Sequence, residues 1–357
     1  MVSAAGSAAA GERRNVSDAA GVIVLGACAV WSLITAAAQG GRPEGVLLAV
    51  LAVAAGYASG RILGAVLPVA APCAGALAGL GLALAAAHTA PGPPTTASLG
   101  NTGATAALLA LSNGAVCCAA WAARPPMLRL ALRLSAVAIV VTAAALGSAT
   151  GCAAGAGVVL CSLAAERLRR RALGLAGLAL GAALVTGATW AIAGNALPRG
   201  LTASLEGLLT QHRVLLWHDA LHLARQSPAL GAGPGRYGEL SPTVTQSLLP
   251  GTKPHSAPLQ QAAEQGVVGV ALLAAVFCWV LYALWCSPCP TPIALTAGAA
   301  LTALSTIASV GNALSFTTVT AGAGLLAGLA TAQPWADEEA ADVLDTDERP
   351  WSDRPEA

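Results

Sequence analysis

A chain of 357 residues with 56% hydrophobic and only 10% charged side chains, where soluble domains carry about 25% charge, is not a soluble protein; its mean hydropathy is +0.68. A formal net charge of +1 leaves no bulk field with which to gather nucleic acid. Charge is absent from successive stretches of roughly 17–25 residues, the length that crosses a bilayer core as a helix. The expected fold class is therefore all-α, a polytopic membrane protein of about ten transmembrane helices.

The ten expected spans are 20–38, 45–60, 62–87, 103–122, 134–149, 152–166, 172–193, 266–285, 292–310 and 313–332. A polar stretch with Arg13 and Arg14 precedes the first. It lacks a small-residue cleavage site at the right distance, so that span reads as a retained helix. Arginines near span ends set orientation. With the N-terminus inside, Arg13, Arg14, Arg61, Arg124, Arg129, Arg133 and the run Arg167, Arg169, Arg170, Arg171 share the cytoplasmic side. The chain then divides into a cytoplasmic tail (1–19), helices one to seven (20–193), an extracytoplasmic loop (194–265), helices eight to ten (266–332) and an acidic, disordered cytoplasmic tail (333–357). The nine cysteines lie mostly in apolar spans, where they act as small buried hydrophobes. Cys286-Ser-Pro-Cys289 has redox or zinc spacing but no second pair.

The long loop concentrates the chemistry. Residues 203–226 read as one helix ending before Ser227-Pro228, because the residue before proline avoids helical geometry. At about 100° per residue, Arg213, Trp217, Ala220, Leu221 and Ala224 share one face, and His218, His222 and Arg225 point away from it. His218-Asp219-Ala220-Leu221-His222 is one methylene short of the zinc-protease signature H-E-x-x-H. A third ligand would have to come from His212, His255 or Glu239; the other reading is a solvated helix face. A second set is Arg213, Arg236, Lys253 and His255. Guanidinium and ammonium groups hold phosphate, and a histidine takes a proton near neutrality. The same residues could instead be solvated or lie on anionic lipid head groups. Arg213 on an apolar face favours a bound partner, since an unpaired charge is costly there. A third place is "ASLGNTGATAALL", where Gly100-Asn101 either caps the fourth span or faces a ligand.

The order Arg213…Trp217-x-x-Ala220-Leu221, Pro228-x-x-Gly231-x-Gly233-x-Gly235-x-Tyr237 and His255-Ser256…Leu259…Glu264-x-Gly266-x-x-Gly269 resembles the O-antigen ligase and polymerase family of membrane glycosyltransferases, especially its actinobacterial members. Two features depart from the family pattern. "GSATG" at 147–151 has no arginine where members often carry one, and Ser256 stands where many have asparagine. The resemblance implies a GT-C-like membrane fold that moves a glycan from an undecaprenyl-type polyprenyl-pyrophosphate carrier to an acceptor hydroxyl on a glycan or lipid. That reaction lies on the outer side of the cytoplasmic membrane and needs no metal or cofactor. It further implies His255 and Arg213 as catalytic residues, and Arg236, Lys253, Trp217, Tyr237 and Asn101 as substrate contacts, with the Gly-rich turn closing over the sugar-phosphate. A polymerase using the same carrier, or a non-catalytic glycolipid-binding or transport protein, would share these features.

Overall fold

The computed structural model describes residues 2–88, 99–168, 170–196, 211–246 and 253–333. Among the described residues the regular structure is helical throughout. The first seven helices are α1 (Val2–Gln39), α2 (Glu44–Val66), α3 (Ala70–His88), α4 (Leu99–Ala122), α5 (Pro126–Ala145), α6 (Ala149–Ala165) and α7 (Arg171–Ala193). They are followed by α8 (Gln211–Gln226), the short α9 (Tyr237–Leu240) and α10 (Pro242–Gln246), and then α11 (Ala257–Cys286), α12 (Thr291–Val310) and α13 (Thr317–Leu329), with a 3-10 turn at Ala313–Ser315. Among the described residues eight helices are long and apolar enough to cross a membrane; α6 and α13 are shorter apolar helices. The protein is a polytopic membrane protein. The expected C-terminal tail from 334 onward, and residues 203–210 of the expected loop helix, lie outside the described residues.

α4 and α12 form the buried centre of the bundle, and the outer helices show leucine and valine to the surroundings, among them Val22, Leu51, Leu134 and Leu184. α2 and α13 approach backbone to backbone: a Cβ on Gly60 would stand 3.0 Å from Gly328 Cα, and one on Gly324 3.0 Å from Tyr57 N. Such small-residue contacts replace the hydrophobic drive that lipid cannot supply.

One expected boundary moves. Arg61 does not separate two spans but lies inside α2. The helix ends instead at Leu67 (φ −131°), the residue before Pro68, where the proline ring rejects helical geometry. Arg61 is tolerated because Asp18 of α1 accepts from its Nη1 at 2.7 and 2.9 Å, and Tyr57 donates to the same carboxylate at 3.1 Å. A charge on a membrane helix persists when it is paired.

The second shift concerns the start of the eighth expected span. α11 begins at Ala257 and is broken at Gly266 (φ 69°, ψ −163°). A second, smaller core gathers on its first segment: Leu216, Trp217, Ala220 and Leu221 of α8, Tyr237, Leu259, Ala263, and Ile192 and Ala193 at the end of α7, with Val310 of α12 against it.

Candidate active site

The sequence of α8 is amphipathic and the structure uses it so. Leu216, Trp217 and Ala220 are fully buried, while His222 and Arg225 are exposed. Asp219 has partners of its own in the fold. Its Oδ2 accepts from Ser241 Oγ at 2.6 Å and from Thr243 N–H at 3.0 Å, which braces the start of α10. The acid of the H-D-x-x-H stretch is thus a capping group. Among the described residues no three His, Cys, Asp or Glu side chains come together as a metal site. Asp219→Ala should cost about 1 kcal/mol, the usual worth of such a cap, read as a lower Tm, with metal content unchanged.

The Gly-rich segment repairs the break in α11. A helix interrupted at Gly266 strands its preceding carbonyls, and a buried carbonyl must find a donor. Ala232 N–H reaches Ala263 O at 2.8 Å and Gly233 N–H reaches Glu264 O at 2.9 Å. Trp31 Nε1 of α1 donates to Gln265 O at 3.1 Å. In return, Val267 N–H donates to Pro228 O at 2.9 Å. The Glu264 carboxyl accepts the backbone N–H groups of Gly235 and Tyr237. Gly231 and Gly233, at φ 69° and 100°, supply the left-handed turns that glycine adopts without penalty. The segment that the resemblance implies closes over a substrate is docked on the helix break.

This docking gives several of the expected contact residues a place in the fold. Arg236 donates from Nη1 to Gln39 O at 2.6 Å, and its Nε lies 3.8 Å from Glu239, so it tethers the turn to the end of α1. Tyr237 is buried and donates to Leu216 O at 2.7 Å; burial raises its phenol above the usual range. Trp217 is enclosed in the same core. These three also build the platform on which the cationic residues stand, and Trp217 Nε1 is left buried without a partner. Asn101 lies in the first turn of α4, and its side chain is outside the described residues.

On that platform stand Arg213, one turn before Trp217, and His255, just ahead of α11. His255 adopts φ 52°, is buried, and its Nδ1 has no hydrogen-bond partner. Its pKa is lowered, first by burial and then by the positive charges of Arg213, His212 and Lys253. Those four residues therefore share one electrostatic neighbourhood. His212 had entered the sequence reading only as a metal ligand; proximity across 43 positions leaves no periodic signal. Burial also lowers the Arg213 pKa, and its Nε is buried without a partner. Neither Arg213 nor Lys253 is in a salt bridge among the described residues.

An apolar cavity of about 470 Å³ lies among the helices of the bundle. It begins at Ala257 and Pro258, directly after His255-Ser256, and extends past Leu273 and Phe277 to Tyr57 and Trp279. A half-buried cationic cluster thus adjoins in sequence, through His255-Ser256, the wall of an apolar cavity.

A family model described as O-antigen ligase matches residues 95–274, half of the chain. The chain belongs to the O-antigen ligase family. The matched segment runs from the approach to α4 through the break in α11, and so includes Asn101, Arg213, Arg236, Lys253 and His255. No curated protein and no solved structure matches the chain. For an O-antigen ligase family member, a membrane glycan-transferring activity follows in general terms.

Proposed function

We propose that the protein transfers a glycan from a polyprenyl-pyrophosphate carrier to an acceptor hydroxyl, at a site on the outer side of the cytoplasmic membrane and with both termini inside. The observation that carries this reading is the meeting of a buried His255, its Nδ1 unpartnered, and a half-buried Arg213, its Nε unpartnered, with Lys253 and His212; His255 stands two residues in sequence ahead of Ala257, on the wall of an apolar cavity. Buried polar groups are normally satisfied, and here an anionic ligand with a lipid tail would satisfy them.

The acceptor oxygen attacks the anomeric carbon while the bond from that carbon to the pyrophosphate oxygen breaks. The electron pair leaves with the pyrophosphate, and the acceptor proton passes to His255. Lowered from its ordinary pKa by burial and cationic neighbours, His255 is neutral at pH 7 and ready to accept. Arg213 and Lys253 face the charge that grows on the leaving group, the arrangement that stabilises a transition state rather than a ground state. The groove from Pro258 inward takes part of the polyprenyl tail.

The test is reconstitution of the purified protein with carrier-linked glycan and acceptor, following release of free carrier pyrophosphate. Wild type consumes the donor, and chelation leaves the rate unchanged. Arg213→Ala lowers it about 10²–10³-fold, and Arg213→Lys recovers part of the loss. Wild type that leaves the donor intact after verified insertion would overturn the proposal. Product length separates single ligation from polymerisation.

The same site sets a pH dependence. A histidine whose folded pKa lies below its unfolded value stays neutral until more acid conditions, so activity is flat near neutrality and falls as pH drops through the lowered pKa. Lys253→Met removes a positive neighbour, raises the His255 pKa and moves that acidic limb toward higher pH. The unfolded state binds more protons in this window, so stability from His255 is likewise present above the ordinary value and lost on acidification. An acidic limb that Lys253→Met leaves in place would separate Lys253 from the site.

A further inference from the structure

α11 leads from His255 at one face of the bundle to Ser287 at the other, and at that far face three parts of the chain meet. Arg171, at the start of α7, donates to Ser287 O at 2.7 Å and to Cys289 O, both in the connection from α11 to α12. Ser287 Oγ donates to Ala330 O at 2.7 Å and Cys289 Sγ to Ala332 O at 3.1 Å, which holds the end of α13 beside them. Cys118, near the end of α4, reaches Ile293 O in the first turn of α12 at 3.7 Å. The connections from α4 to α5 and from α6 to α7 therefore flank the point where the chain leaves α13. Both are basic: residues 122–171 hold seven arginines and one acidic residue, Glu166. Arg124, Arg167 and Arg170 are exposed, and none of the three is in a salt bridge among the described residues.

The counter-charge belongs to the same chain. Residues 334–357 hold nine of the seventeen acidic residues and two arginines, so this segment carries −7 and the rest of the chain +8, within a total of +1. Seven of the twelve residues 337–348 are Asp or Glu, and a block of like charge is an interaction segment whose contacts are ionic. Asp337 is four residues past Gln333, a reach of at most about 14 Å, and Glu348 lies within about 50 Å of it. Attachment at this point holds the acids at an effective concentration on the order of millimolar. Anionic lipid head groups offer the same charge, but they border the bundle from outside, whereas α4 and α12, whose ends meet here, are its buried centre. Arg124 stands two residues past the end of α4. We propose that the acidic segment 337–348 is the partner of this basic face, held by charge on Arg124, Arg167 and Arg170.

Carbodiimide coupling tests the contact, because it joins a carboxylate to a lysine amine within ion-pair reach and leaves arginine untouched. Lys253 is the one lysine of the chain, and it lies beside His255 at the opposite face, so wild type supplies its own control. The full chain, as wild type, Arg124→Lys and Arg170→Lys, is placed in phosphatidylcholine nanodiscs, which leave both faces open to reagent. Coupled peptides are mapped by mass spectrometry. Both positions are exposed, so the substitutions leave the fold alone. Each variant gains an amide bond from its introduced lysine to a carboxylate of 337–348, and Lys253 forms none with that segment. Raising salt from about 0.1 to about 1 M shortens the screening length from roughly 10 to 3 Å and should cut the yield about fivefold. Absence of the bond in both variants overturns the proposal. So does coupling that vanishes when phosphatidylglycerol replaces phosphatidylcholine at the same salt, since the face then prefers lipid. Heavy- and light-isotope chains reconstituted together read the last alternative: bonds within one isotope support an intrachain contact, and mixed bonds assign the face to the acidic segment of a second copy and overturn it.

Discussion

His255→Ala should arrest glycan transfer while leaving the protein inserted and folded. Loss of a positioned general base costs about 10²–10⁴ in rate, and the carrier-linked glycan pool should rise as transfer stops. One feature of the geometry complicates the alanine variant. His255 sits at φ 52°, a left-handed conformation that costs most residues about 1–2 kcal/mol, so alanine alters both the base and the strain on the backbone. His255→Asn separates the two, because asparagine is several-fold enriched in that region but cannot take the acceptor proton. Asparagine and alanine should be equally inactive, with Tm better kept by asparagine. Full activity in His255→Asn would show that the turn, not the imidazole, was required, and the assigned proton transfer would fail.

The legibility of this chain follows the physics of each feature. Apolar length is written in composition, so the spans were readable, and the amphipathic split of α8 was readable from a 100° step between residues. Arg61 misled because a lone charge in sequence looks like a boundary; its tolerance depends on Asp18, 43 residues away. The Gly-rich segment showed its glycines but not their partner. Its backbone N–H groups meet carbonyls of α11, and main-chain pairing between distant segments leaves no side-chain pattern. Trp217 and Tyr237 invited a ligand reading because aromatic residues beside a basic cluster suit one. Their enclosure in a core with Leu259 and Ile192 is a tertiary fact. Asp219 was similar: the spacing to two histidines was visible, while its bonds to Ser241 and Thr243 were not.

If the docked turn holds the site together, Gly266→Ala should be among the most damaging changes outside the cationic cluster. Gly266 has φ 69° and ψ −163°, a region open essentially to glycine alone, where another residue is strained by about 1–3 kcal/mol. Space is closed as well. An added Cβ would collide with Ala229 O and stand 2.6 Å from Pro228 O, main-chain atoms of the segment docked there, and such overpacking costs a further 1–3 kcal/mol or so. Two escapes are open to the chain, and both disconnect the site. It can expel the turn, leaving the Ala263 and Glu264 carbonyls without their donors; or α11 can straighten through 266, for alanine favours helix over the break, and the same carbonyls then pair within the helix and leave Ala232 and Gly233 N–H unmatched. Either way Tyr237 loses its hold on Leu216 O, and α8 carries Arg213 away from His255. The expected result is a loss of roughly 2–6 kcal/mol or a locally opened protein, seen as a lower Tm, faster proteolysis within 227–241 and loss of transfer. Gly177→Ala is the control, since its Cβ would meet nothing within 4 Å on a helix that alanine suits. Should Gly266→Ala match Gly177→Ala in stability, cleavage and activity, the turn is not what positions Arg213 against His255, and the site must be held from the bundle instead.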